Sequence, residues 1–195
     1  MGLPRQLPEG DTQLIQIVDA ALADSVQRSG DWLACRPGCF HCCVGIFPIS
    51  PLDATRLQNG LQNADPQTAA EIRERVKASV AELQQDWPGD FVSGTLDEEA
   101  EGFDDFGNAA VCPVLDPLSG TCDLYASRPM TCRTFGPPVR TAEDGLGVCE
   151  LCFISAPTEA IAAAEMDVAF LEQEQKLSDT LGKEATCIAL ALRNY

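Results

Sequence analysis

The sequence predicts a small, mostly α-helical protein: a single domain with a cysteine-rich metal-site core and one short β-hairpin. Three observations predict it. Apolar residues recur at helical spacing in runs near both ends of the chain. Nine of the ten cysteines fall into two blocks, and the chain has a single histidine. The clearest strand signal is a pair of short apolar runs around one Asp-Pro-Leu-Ser-Gly turn.

In chain order, Asp11 reads as an N-cap. Leu14, Ile15, Ile17, Val18, Ala21, Leu22 and Val26 then follow helical spacing until Gly30 stops the run. From Asp31 to Phe47 the first cysteine block sits among Pro37, Gly38 and Gly45, which argue for loop turns around a metal. Ser50, Pro51 and Asp53 supply an N-cap, an N1 proline and a capping-box carboxylate for a helix to about Asn63. Asp65-Pro66 repeats the signal for a helix to about Gln85, with Glu71 and Arg75 spaced as an i,i+4 ion pair. From Trp87 to Ala110 the periodicity dies and carboxylates accumulate, so a solvated, mobile loop is expected. Val111 to Tyr125 reads as a hairpin with its turn at Asp116–Gly120. Ser127-Arg128-Pro129 starts a short helix carrying Cys132, which Gly136-Pro137-Pro138 ends. Thr158 caps one long helix to about Leu181, and a last helical segment, Glu184 to Leu192, holds Cys187. The expected domain is thus residues 1–195. The cysteine core covers about 35–152, with helix 11–29 and helices 158–192 packing on it.

At 195 residues and 45% hydrophobic content the chain can bury a real core. Thirteen basic residues stand against thirty acidic ones, for a net charge of −17. Such a chain lacks the basic footprint of a nucleic-acid binder and is repelled by anionic membrane surfaces. No stretch reaches the roughly 18 uninterrupted apolar residues of a membrane span. Met1 to Asp11 has no apolar signal core, and Gln6 stands where myristoylation wants Ser or Thr. The expected compartment is the cytoplasm. There, clustered cysteines read as metal ligands in preference to disulfides.

The first block is Cys35, Cys39, Cys42 and Cys43, spaced C-x3-C-x2-C-C; the second is Cys112, Cys122, Cys132, Cys149 and Cys152. Thiolate ligands select zinc, Cu(I) or iron–sulfur clusters. Spacings of two or three residues let one turn of backbone aim two sulfurs at one point, as for Cys35/Cys39, Cys39/Cys42 and Cys149/Cys152. Cys42 and Cys43 are adjacent, and neighbouring side chains tend to point apart. They therefore serve two centres, or one ligates and the other packs. Nine thiols suffice for two four-cysteine sites, for a cluster plus a zinc, or for one site with spare thiols. His41, Arg128 and Arg133 are expected beside the ligands, donating to sulfur or offsetting its charge; Arg36 and Arg140 also neighbour cysteines in sequence. Cys187, in an apolar run, is expected to be a buried core thiol.

These two blocks together resemble the YkgJ-like cysteine-cluster family, a zinc- or iron-chelating domain with a CxxxCxxCC signature. The first block matches that signature. The second matches its other run through Cys112-Pro113-Val114-Leu115, Cys122-Asp123-Leu124-Tyr125, Arg128-Pro129 and Cys132-Arg133-Thr134-Phe135. The resemblance spans about Cys35 to Cys152 and implies roughly eight metal-site cysteines, one of the Cys149/Cys152 pair among them. It implies metal or iron–sulfur binding and no substrate. A similar domain occurs in the much longer flagellin lysine N-methylases, so an iron–sulfur enzyme with related chemistry is one alternative. A thiol redox protein built on Cys149-Glu150-Leu151-Cys152 is another, although no βαβ unit surrounds that motif. The first-block spacing is also that of radical S-adenosylmethionine enzymes, but strand–helix alternation is missing and Cys43 is extra. The expected partners are metal ions, and the expected cofactor is an iron–sulfur cluster of the 4Fe-4S type, ahead of zinc.

Overall fold

A computed structural model describes residues 5–140 and 145–195. Residues 1–4, where part of the export and lipidation reading falls, lie outside the described residues. In chain order the elements are α1 (Asp11–Ser29), α2 (Pro51–Asn63), α3 (Pro66–Leu83), β1 (Gly89–Asp90), β2 (Thr95–Leu96), β3 (Leu115–Asp116), β4 (Thr121–Cys122), α4 (Met130–Thr134), β5 (Val139–Arg140), β6 (Leu146–Gly147), α5 (Thr158–Ala163), α6 (Leu171–Asp179) and α7 (Ile188–Leu192). Helices dominate, as expected. Among the described residues the strands form three antiparallel pairs, β1–β2, β3–β4 and β5–β6, where one hairpin was expected.

The chain divides into two compact units. Unit 1 holds Phe40–Pro129 and Ser178–Tyr195 with the described residues up to Leu7; unit 2 holds Pro8–Cys39 and Met130–Leu177. In unit 1, Ser50 accepts the Asp53 amide at 3.1 Å, with Pro51 opening α2. Asp65 accepts the amides of Gln67 and Thr68 to start α3. Both are N-caps that satisfy otherwise orphaned amides. Leu57 and Leu61 of α2, Ile72 and Val76 of α3, and Ile188 and Leu192 of α7 bury one core with Val114 and Leu124. Cys112 and Cys122 pack on its edge.

In unit 2, Leu14 and Val18 of α1 bury against Met130, Met166 and Phe170. A smaller core joins Cys149, Cys152, Phe153 and Ala164, with Leu33, Ala34 and Ile161 packed on it.

Three local expectations are corrected. The helix expected from Thr158 to about Leu181 is broken between α5 and α6. The carbonyls that would continue it are taken: Ser25 Oγ donates to Ala164 O at 2.5 Å, and Arg28 donates to the carbonyls of Ala163 and Glu165. The Met166 amide turns away to Pro138 O at 2.8 Å. The last helix begins only at Ile188, because Ile49 and Thr186 exchange backbone hydrogen bonds and hold Thr186 extended. Arg75 does not pair with Glu71; it bonds Asp123 and the Pro113 carbonyl. An exposed i,i+4 pair contributes only about 0.2–0.5 kcal/mol, so a two-acceptor tertiary contact prevails.

The Trp87–Ala110 segment is solvated along its carboxylates but is organised. Trp87 meets Phe91 and Phe106 edge-on, at ring separations of 6.1 and 5.7 Å, and its Nε1 donates to Thr95 O. These contacts have no regular period, so the sequence pattern gives no sign of them.

Candidate metal centre

In unit 2, three hydrogen bonds bring the two cysteine blocks together. The Cys152 amide donates to Cys149 O at 2.8 Å, forming the tight turn of the C-x-x-C. The Phe153 amide donates to Trp32 O at 2.7 Å, tying this turn to the start of the first block. The Ala34 amide donates to Cys152 Sγ at 3.4 Å. Cys35 hydrogen-bonds Cys152, and burial, then the thiols of Cys152, Cys39 and Cys149, push the Cys35 thiol up to about 12. Cys149 is raised by burial and then by Cys152 and Cys39. Gly136 stands directly against Cys35. Its φ is +117°, and a Cβ there would stand 2.6 Å from Cys35 Sγ. In the sequence it reads only as a helix terminator; nothing local betrays the sulfur beside it.

We expect Gly136→Ala to cost about 1–3 kcal/mol from backbone strain alone and to displace Cys35 in addition. Gly30→Ala, where φ is +52° and no atom lies within 4 Å of the added Cβ, should cost only the backbone part. Denaturant midpoints and the alkylation rate of Cys35 separate the two effects: only Gly136→Ala should change the rate.

In unit 1, a single turn at His41–Cys43 carries the adjacent pair. Contrary to the expectation that neighbours point apart, the Cys43 thiol hydrogen-bonds Cys42. The Cys112 amide donates to Cys43 O at 2.8 Å, extending an antiparallel contact between Val44 and Val111. The β3–β4 hairpin then sets Cys122 opposite Leu115. Asp116 pairs with Thr121, so the connecting loop is 117–120. The Cys42 thiol is lowered to about 6, first by the Cys43 hydrogen bond, with His41 and Arg128 adding positive charge. Cys112 is pushed up to about 12 by burial, with Cys122, Cys187 and Cys42 contributing. Cys122 is raised, chiefly by burial, and Arg128 opposes the shift. Arg128 lies 3.9 Å over the Tyr125 ring and donates to its carbonyl at 2.9 Å, which locks a cation beside these sulfurs.

Cys132 is half-buried on α4 in unit 2. Arg133 is 1% exposed, and its guanidinium meets Asp19 of α1 at 2.6 Å. Arg140 pairs with Glu165. His41 is exposed in its turn. Cys187 is 1% exposed among Leu83, Ala189 and Leu190, and burial pushes its thiol up to about 11.

The donor set fits a soft metal: clustered thiols, buried or crowded, with Arg128 and backbone amides facing sulfur. Among the described residues, no three Cys, His, Asp or Glu side chains already stand where they would hold a metal ion. The sulfurs are neighbours, not a closed coordination shell. Among the described residues, no helix is long and apolar enough to cross a membrane.

A helical scaffold presenting grouped thiols defines a metal-binding, cysteine-rich protein. The family model CxxCxxCC, described as "Putative zinc- or iron-chelating domain", matches residues 34–152, and the chain belongs to that family. No curated protein and no solved structure is significantly similar to the chain.

Proposed function

We propose that this chain is a metal-binding module with two thiolate centres, one per unit. Cys42, Cys43, Cys112 and Cys122 would form one, and Cys35, Cys39, Cys149 and Cys152 the other. The observation that carries this reading is that Cys35 and Cys149 interact with Cys39 and Cys152 inside one compact unit, and Cys42 with Cys43, Cys112 and Cys122 inside the other, where the buried Cys187 is a further neighbour of Cys112. Four cysteines are the usual complement of a 4Fe-4S cluster and also of a structural zinc. We place the iron–sulfur cluster first. Nine of the ten cysteines gather in two blocks, more thiols than a single four-cysteine zinc site uses.

The test is iron, zinc and acid-labile sulfide per chain after anaerobic purification, with the visible spectrum. Two cubanes give roughly eight irons and eight sulfides. Two zincs without colour would replace the cluster with zinc and keep the two centres. Cys42→Ser and Cys149→Ser should each remove about half of the metal, and Cys187→Ser none. Complete loss from either single substitution would mean one shared centre. Loss from Cys187→Ser equal to that from Cys149→Ser would overturn the ligand assignment.

A further inference from the structure

Arg75 lies on α3 between Ile72 and Val76, which are buried in the unit 1 core. Its guanidinium reaches off the helix to the segment that carries two of the unit 1 thiols. Nε donates to Pro113 O at 2.8 Å, and a terminal nitrogen donates to Asp123 Oδ2 at 2.5 Å. Pro113 follows Cys112, and Asp123 follows Cys122. One planar cation thus grips the chain one residue beyond each of two cysteines.

The other ties across this segment are short-range. β3 and β4 pair over two residues each, and the Asp123 amide donates to Val114 O at 2.9 Å. A hairpin this short is marginal by itself. Arg75 ties both of its arms to a packed helix. The Arg75 and Asp123 side chains are 24% and 19% exposed, so the contact is largely withdrawn from solvent. A guanidinium presents its donors in a rigid fork. The separation of the Pro113 carbonyl from the Asp123 carboxylate is therefore set by the cation as well as by the turn.

The geometry points to Arg75 as a positioning residue of the unit 1 centre, one that fixes the separation of the Cys112 and Cys122 sulfurs before metal arrives. This role rests on the two-centre reading, in which both cysteines hold the same ion or cluster. Sulfurs held at a set separation retain metal longer, because neither ligand can swing away while the other stays bound. Contacts that orient ligands from behind in this way are worth about 10–100-fold in metal affinity.

The test uses the full chain loaded with cobalt(II), in two backgrounds. Cys149→Ser leaves the unit 1 centre to be read alone, and Cys42→Ser leaves the unit 2 centre. Release to excess EDTA is followed by loss of the cobalt–thiolate absorption. Arg75→Met should speed release at least about tenfold in the first background and not at all in the second. Its cobalt d–d bands should shift in the first background too, since the angles between sulfurs change. Arg73, on the same helix, donates from Nε to Tyr195 O at 2.8 Å and supplies the matched control. Arg73→Met should leave both rates and both spectra unchanged. Arg75→Lys keeps the charge without the fork, so release should still be at least about threefold faster. Release from Arg75→Met no faster than from Arg73→Met, or full recovery in Arg75→Lys, would overturn the positioning role and leave the two centres standing. A Cys149→Ser chain that holds no cobalt, or as much as the unsubstituted chain, would overturn the two-centre reading and this role with it.

Discussion

Asp53→Ala should destabilise the protein by about 3–5 kcal/mol, the usual cost of breaking a buried ion pair by removing one partner. The Asp53 and Arg56 side chains are only 4% and 3% exposed, and their charged atoms meet at 2.8 Å on one face of α2. Neither ion can recover hydration without lifting α2 off the core that Leu57 and Leu61 build. The loss is therefore larger than for a surface pair, where the net value is about 0–1 kcal/mol. Asp53 also stands in the first turn of α2, where a negative charge is favoured. Denaturant unfolding measures the effect. Asp53→Ala combined with Arg56→Met should recover much of the stability, because the buried pair is then replaced whole. A cost below about 1 kcal/mol for the single variant would show that Arg56 reaches water or another anion.

Metal affinity should rise by at least about 100-fold per pH unit between pH 6.5 and 8.5 in each centre. Only thiolates ligate, so every thiol still protonated must release its proton when metal binds. In unit 1, Cys112 and Cys122 are raised, Cys112 to about 12, so both are protonated throughout this range. In unit 2, Cys35, pushed to about 12, and Cys149 are in the same position. Each released proton contributes about tenfold per pH unit, or about 1.4 kcal/mol. The sign is fixed: binding is lost as the pH falls, because protons compete for the same sulfurs. Cys42, lowered to about 6, is already a thiolate at neutral pH and adds little to this slope above pH 7. Competition with a chelator of known affinity, using zinc as the probe metal, reads the slope directly. A slope near zero would mean that these thiols do not ligate.

Legibility in the sequence followed the range of the interactions. The starts of α2 and α3 were readable because Ser50, Pro51, Asp65 and Pro66 act on amides two or three residues away. The hairpin carrying Cys122 was readable for the same reason: Asp116 bonds the amides of Leu118 and Ser119 within the turn itself. The break after α5 was not. A continuous helical pattern runs through it, and the competing donors, Ser25 and Arg28, come from the far end of the chain. The Trp87 cluster was missed because three aromatics assemble by tertiary contact and leave no period.

By itself, the sequence determined the mostly helical class, the caps and the chemistry of the donor set. Thiols dominate it whatever the fold, and the two cysteine blocks suffice to mark the zinc- or iron-chelating family. Tertiary structure decided which sulfurs share a neighbourhood. Cys39 and Cys42 lie three positions apart, yet they belong to different units. Cys43 instead meets Cys112 through a backbone hydrogen bond, and the Ala34 amide reaches Cys152 across the chain. Such partnerships are set by where α2, α3 and α7 bury one core and where α1 buries the other. Burial is a property of the whole packed unit, and no spacing rule along the chain encodes it.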